Sequence, residues 1–373
     1  MPHNLTLSIV TAIPFSNLNR DDTGTPKRIN QGGVLRALHS SQSIKRSIRL
    51  RYENASMDLS IRSGELAEEI VERVLELNPD VDRKAALKNA RSIVGKLTKA
   101  ETPAKTSGDV DSQTQKAESA RSTWMSNEEI NTAAQTVLAS LTSGKDIKKT
   151  DVNDFIQEHR TGSLAIAAFG RMFANSPQNT TEAALSVSPA VTTHATSIDT
   201  DYFSTVDDRH EAQHRTGATY LGVSQYTSGV FYRTVSIDKK QLRESWSAFD
   251  AEDSRENVRE LIRSAIYGQP RGKEHSTAPY VLPALVLAEE QRYRTAYDFQ
   301  TPVIPEGAGG FLAATITSLS QQYSAARSFD AGNFGPTEAL AGTFPGLEGK
   351  FGKLEPTQLD DLIDTVVKWV FDD

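Results

Sequence analysis

The chain has 373 residues and a formal net charge of −7; 38% of it is hydrophobic and 24% charged. That length accommodates two average domains, or one with large insertions, around a sizeable core. It contains no cysteine, which excludes disulfides and thiolate metal sites and fits a reducing cytosol. The opening MPHNLTLSIVTAI has no basic leader or small-residue cleavage site, and the longest apolar run, residues 278–288, is too short for a membrane span and contains Pro279 and Pro283. These features predict a soluble, cytoplasmic protein that does not associate with membranes.

Residues 5–13 alternate Leu5, Leu7 and Ile9 with Thr6 and Ser8, the pattern of a half-buried first strand. The stretch from Asn17 to Tyr52 follows, read as a loop and then a helix. Between Arg20 and Arg51 it carries eight basic residues (Arg20, Lys27, Arg28, Arg36, Lys45, Arg46, Arg49 and Arg51) against Asp21 and Asp22. This local +6 leaves the rest of the chain at −13, so the basic charge is concentrated, as for an anionic ligand handled at one site. Gly32-Gly33 lets the backbone turn or approach something closely. Ser40 and Ser41 suit the start of a helix in which Ile44, Ile48 and Tyr52 form one buried stripe. Lys45, Arg46 and Arg49 then lie off that stripe. The first-turn N–H groups, with the hydroxyls of Ser40, Ser41 and Ser43 and the side chain of Gln42, form a phosphate-sized cradle. A merely solvated basic helix face is the alternative.

From residue 63 to 172 the pattern is helical: Leu66, Ile70, Val74 and Leu77 recur at three- and four-residue steps, and 85–97 and 130–141 read as further helices. The polar run 99–126 between them reads as a loop. Residues 161–173 form a short apolar segment closing on Arg171 and Met172. Residues 187–193 suit a strand, the polar excursion 199–217 a projecting hairpin, and 220–237 a strand again. Val258, Leu261, Ile262, Ala265 and Ile266 give a helix over 254–267 that ends at Gly268. Residues 278–288 are a candidate strand. A helix over 311–327, a glycine-punctuated stretch over 330–353 and an amphipathic helix over 357–371 complete the chain. With the insertions removed, the order of elements is compatible with an α+β, ferredoxin-like βαββαβ core.

Several motifs invite chemistry. HEAQH at 210–214 matches the pattern in which His210 and His214 bind zinc and Glu211 activates water, and it supports an alternative reading as a zinc-dependent hydrolase. Its flanks are polar, however, and the third ligand position of the extended pattern is Tyr220. GQPRGKE at 268–274 is one residue short of a nucleotide-hydrolysis loop and lacks its Ser or Thr; Arg271 and Lys273 remain candidates for touching a backbone phosphate. His194 reads as a structural histidine, and Phe231 and Tyr232 as strand core. No Ser/His/Asp, Cys/His or paired-carboxylate set is legible.

NLNRDD at 17–22 and SSQSIKRSIR at 40–49 resemble the start of the CasC family, the backbone subunit of the type I-E CRISPR effector complex Cascade, in the RAMP superfamily. GRMFA at 170–174, TTHATSIDTDYFSTVDD at 192–208 and SGVFYRTVSID at 228–238 follow in that family's order. The resemblance implies an RRM-like palm over 1–58, 181–191 and 225–373 with a web loop near 268–278, helical fingers over 59–180 and a thumb over 192–224. It implies a non-catalytic, cofactor-free protein whose partners are crRNA, the target DNA strand paired to it, other Cascade subunits and indirectly a recruited nuclease-helicase. The chain would also bind itself head to tail, about six copies in the family. Arg20, Lys27, Arg28, Ser40, Ser41, Gln42, Ser43, Lys45, Arg46, Arg49, Arg271 and Lys273 would hold the RNA backbone. By resemblance Arg171 contacts the guide RNA and Met172 packs against bases. The thumb residues Thr200, Asp201, Tyr202, Phe203 and Thr205 would meet a displaced base or the next copy. An RNA-processing endonuclease of the same superfamily is a further possibility, with His39 the only histidine in the basic stretch to serve as its base.

Overall fold

The computed structural model describes residues 3–97, 123–148, 151–152, 156–173, 176–205, 220–307 and 310–372. They divide into two compact units. The first, formed by residues 1–51, 185–239 and 259–373, is built on one antiparallel sheet. Its strands are β1 (Asn4–Ser16), β2 (Arg28–Gln31), β3 (Val34–His39), β6 (Leu185–Val187), β7 (Ala190–Thr192), β8 (Asp199–Thr205), β9 (Tyr220–Asp238), β10 (Leu285–Gln291) and β11 (Phe334–Ala341). They run in the order β11-β10-β1-β9-β7-β3-β2, with β6 and β8 also on β9. Helix α1 (Ser41–Ser56) follows β3, and α7 (Ser254–Tyr267) lies between β9 and β10. Taken as β1-α1-β6/β7-β9-α7-β10, the four central strands stand in the order four, one, three, two, all antiparallel. This is the expected ferredoxin-like α+β core.

Strand β1 is buried on both faces rather than half-buried. One reason is the helix α9 (Leu312–Phe329), whose Ile316, Leu319 and Tyr323 join Val10, Leu285, Leu287 and Phe299 in a second core. The polar residues of β1 are satisfied within the sheet: Thr6 Oγ1 lies 2.8 Å from both Ser236 Oγ and Gln291 Oε1. Strand β10 starts at Leu285, later than the expected 278, because Pro279 and Pro283 cannot donate to a ladder. The segment before it instead contains the short helix α8 (Glu274–Thr277). The helix over Ser254–Tyr267 has the bounds its apolar periodicity predicts, and α10 (Leu359–Phe371) closes the chain with Leu362, Ile363, Val366 and Val370 buried.

The basic stretch departs from the expected loop. Between β1 and α1 it forms the hairpin β2–β3, in which Gln31 pairs with Val34 across Gly32-Gly33. Both glycines have positive φ, 64° and 77°, as a two-residue type I′ turn requires. Gly32 is also needed for space: a Cβ there would lie 1.8 Å from the Gln300 carbonyl oxygen.

The second unit comprises residues 52–184 and 240–258, where the fingers were expected over 59–180. Its helices are α2 (Leu66–Leu77), α3 (Arg83–Leu97), α4 (Asn127–Ser143), α5 (Leu164–Phe169) and most of α6 (Lys239–Ser245); a small sheet pairs β4 (Ser60–Ser63) with β5 (Thr123–Ser126). Ile70, Val74, Ala90, Ile93, Ala133 and Val137 form its core. A capping box starts α4: Ser126 Oγ accepts the Glu129 N–H at 3.1 Å, and Glu129 accepts the Ser126 N–H at 2.8 Å. Most of the expected 99–126 loop lies outside the described residues. No helix among those described is long and apolar enough to cross a membrane.

Candidate functional site

Three pieces of the first unit are knitted together at the NLN motif, to which the sequence had assigned no structural role. The Asn17 side chain donates to the Gly24 carbonyl at 2.9 Å, closing a turn over the basic loop. Within that turn Asp21 accepts from the Thr23 hydroxyl at 2.7 Å and from the Thr23 and Thr25 N–H groups at 3.0 Å. Asn19 works in two directions. Its side-chain oxygen accepts the Ser40 N–H at 2.7 Å, and its backbone oxygen accepts the Lys27 N–H at 2.8 Å. The loop is thereby fixed to both the hairpin and the entry of α1. The third piece is the segment 268–273. Gly272 N–H donates to Leu18 O at 2.9 Å, and a Cβ at Gly272 would sit 2.5 Å from that oxygen.

This scaffold presents most of the expected cations. Arg20, Arg28 and Arg46 are exposed; Lys27, Lys45 and Arg49 are half-buried. Ser40 acts as the cap of α1, its Oγ accepting the Ser43 N–H at 3.4 Å. The N–H groups of Ser41 and Gln42 belong to the first turn and have no partner within the helix, so the anion-attracting end of α1 opens among these cations. Ile44, Ile48 and Tyr52 are all buried, as their spacing predicts. Arg271 is exposed but paired, its Nε and Nη2 both 2.6 Å from Glu274 Oε1. Lys273 Nζ donates to Ser224 Oγ at 2.8 Å and lies 5.5 Å from the centre of the Tyr226 ring.

Two arginines stand where the sequence did not put them. Arg36 was counted in the positive field but is fully buried. It donates to the carbonyls of Gln31, Thr192, Phe299 and Gln300 at 2.6–3.1 Å, tying the hairpin to β7 and to the segment before α9. Arg171, expected on RNA, has a side chain only 1% exposed, with Nη1 2.6 Å from Glu129 Oε2. A cation cannot be buried without compensation, and the Glu129 carboxylate at the start of α4 supplies it. In this structure Arg171 is a buried ion-pair partner inside the second unit, and an RNA contact would require opening that pair. Its neighbour Met172 is 75% exposed.

The excursion after β7 is a two-stranded ribbon. Strand β8 pairs with the first part of β9, placing Thr200 opposite Gln225, Asp201 opposite Ser224, Tyr202 opposite Val223 and Phe203 opposite Gly222. Tyr202, Val223 and Leu221 alternate onto one face and are 69%, 57% and 68% exposed. On the other face the Phe203 ring lies across Gly222, where a Cβ would be 2.3 Å from it. The backbones of Thr205 and Tyr220 pair at the far end of the ribbon. His210, Glu211 and His214 lie beyond it, outside the described residues. Among the described residues no group of three or more metal-ligating side chains could hold an ion.

His194 and His39 are structural. His194 Nε2 accepts the Val230 N–H at 3.0 Å, Nδ1 is 2.7 Å from Ala195 O, and the ring stacks on Phe311. His39 is buried and stacked on Phe231 at 4.4 Å. Burial, and then the charge of Arg233, push its pKa down to about 3. A neutral, enclosed imidazole is not placed to act as the base of an RNA-cleaving site. Because the folded chain resists protonating His39 while the unfolded chain takes its proton near pH 6.5, stability is lost as pH falls from 6.5 towards 3. Lowering the pH from 7 to 5 should cost about 2 kcal/mol through this group alone. Urea midpoints for wild type and His39→Phe at both pH values check this: the variant should lose correspondingly less.

The whole-chain comparisons agree with this architecture. A chain of a "CRISPR RNA-guided surveillance complex, pre-nicking" superposes with a TM-score of 0.78 at 24% identity, over 99% of this chain and 100% of that one. A chain of a "CRISPR RNA-guided surveillance complex" superposes with a TM-score of 0.71 at 21% identity, over 98% and 99%. No match was found among curated proteins. A family model covers residues 5–369, and on that match the chain belongs to the CT1975-like Cas protein family.

Proposed function

We propose that this protein is a guide-RNA-binding backbone subunit of a CRISPR surveillance complex, with no catalytic activity of its own. The observation that carries the proposal is that Asn19 ties the segment bearing Arg20, Lys27 and Arg28 to the entry of α1, whose first turns carry Lys45 and Arg46, all five exposed or half-buried. Phosphates attract such a site whatever the base, so sequence choice passes to pairing between guide and target. The likeness to chains of RNA-guided surveillance complexes supports the same assignment.

In this reading copies of the chain stack head to tail along the crRNA. The β8–β9 ribbon reaches between bases and offers its Tyr202, Val223 and Leu221 face to a displaced base or the next copy, leaving segments of guide free to pair with target DNA. Placement in a type I-E complex as its CasC subunit rests on the NLNRDD and SSQSIKRSIR motifs. The burial of His39 argues against an RNA-cleaving site that uses it as base.

The test is to purify the protein alone from cells, extract it with phenol and run the extract on a denaturing gel. The expected result is heterogeneous RNA that co-elutes with a ladder of oligomers and is shed by high salt. An RNA-free monomer that also fails to bind added repeat RNA at low salt would sink the proposal.

A further inference from the structure

A small cavity lies beneath the entry to α1, bordered by His39, Ile44, Phe231, Arg233, Gly268 and Gln269. Arg233, on β9, is only 5% exposed. Its Nη2 donates to the Ile266 carbonyl at 2.7 Å. Its Nη1 is buried and has no hydrogen-bond partner among the described residues. No ion pair to Arg233 exists among the described residues, and the titratable neighbour at the cavity, His39, is neutral. Burial alone lowers its pKa, to about 10, so it remains charged at neutral pH. Buried cations are ordinarily paired because an unpaired one is costly. The other buried arginines follow that rule: Arg171 has Glu129, and Arg36 has four carbonyls.

The position of this uncompensated charge identifies what completes it. His39 and Ile44 bracket the first turn of α1, whose Ser41 and Gln42 N–H groups have no partner within the helix, and Gly268 and Gln269 lead into Arg271 and Lys273. We infer that Arg233 is a concealed electrostatic anchor of the RNA groove, and that a phosphodiester seated on the N-terminus of α1 is its missing counter-charge. The inference rests on the guide-RNA reading of that groove. The guanidinium acts across the cavity without touching RNA, in surroundings where water and salt screen its field little. Such a group strengthens phosphate binding for every sequence equally.

The test uses the full chain and a fluorescein-labelled single-stranded RNA, with Arg233→Met and Arg233→Lys as variants. Exchanging an unpaired buried cation for an apolar side chain of similar length should leave the melting midpoint of the free protein unchanged or raise it, yet raise the RNA Kd about tenfold. Arg233→Lys keeps the charge and should hold Kd within about twofold. A merely structural arginine would give the reverse: a lower midpoint in Arg233→Met with an unchanged Kd for the folded fraction, which overturns the inference. If Lys45→Ala/Arg46→Ala weakens binding while Arg233→Met does not, the anchor fails and the groove stands. If neither variant weakens it, the groove fails too. Should Arg233→Met not fold, the wild type decides: millimolar inorganic phosphate must raise its melting midpoint above that in chloride of equal ionic strength, and no such rise refutes the anchor.

Discussion

Replacing Lys27, Arg28, Lys45 and Arg46 together with alanine should weaken binding of single-stranded RNA by about 200-fold near physiological salt. Each lost phosphate contact removes about 0.7 from the slope of log K against log salt, and at ~0.15 M salt is worth about 0.8 kcal/mol of counterion release. Four contacts therefore flatten the slope by about 3 and reduce affinity alike for every sequence. Arg49 is left in place because it lies one turn further along α1. The four side chains are exposed or half-exposed, so the melting midpoint should move little. Titrations of labelled RNA at several salt concentrations check both quantities. An unchanged slope would mean that the basic face is merely solvated, and the groove reading would be wrong.

The largest loss of stability is expected from Arg171→Met, about 3–5 kcal/mol, because it strands the Glu129 carboxylate in the core of the second unit. The native pair is itself incompletely satisfied: Arg171 Nε and Nη2 are buried with no hydrogen-bond partner among the described residues. Two apolar residues in place of the pair should therefore restore much of the loss, since the desolvation of both charges disappears together. Arg171→Met, Glu129→Met and the double variant, compared by urea unfolding, form the cycle. A double variant as unstable as the sum of the singles would show that Arg171 matters through some contact other than Glu129.

These two experiments divide the cations of the chain along a line that the sequence could not draw. Helices with a strong apolar period, such as α7, were legible residue by residue, because 3.6-residue spacing is a local property. So were β1 and β9 and, from their order with α1 and α7, the ferredoxin-like core. The hairpin β2–β3 was not, since β2 is four residues long, almost wholly exposed and mostly polar; only Gly32-Gly33 signalled it. Strand β11 was hidden by Gly335 and Pro336 within it. The fate of each arginine was illegible for another reason. Arg171 is neutralised by a residue 42 positions away, and Arg36 is held by carbonyls as far as 264 positions away. Lys45 and Arg46, by contrast, were placed correctly off the buried stripe because that stripe is written into α1 itself.

Strand β9 serves two masters. From Thr227 to Asp238 it ladders with β1 in the central sheet, and from Tyr220 to Tyr226 with β8 in the ribbon. Inward and outward positions alternate along a single stretch of about 60 Å, so both zones share one phase. Unless a bulge takes it up, as β1 does between Ile13 and Ser16, adding or deleting one residue near the junction puts the two zones out of step. It would turn Tyr202's cross-strand partner inward or expel Phe231 from the sheet's interior. Without a bulge, length variation there is confined to steps of two, or to the residues that follow Thr205 and precede Tyr220. The reach of the ribbon can drift over generations, whereas the side it shows to the outside is locked to the parity of the sheet.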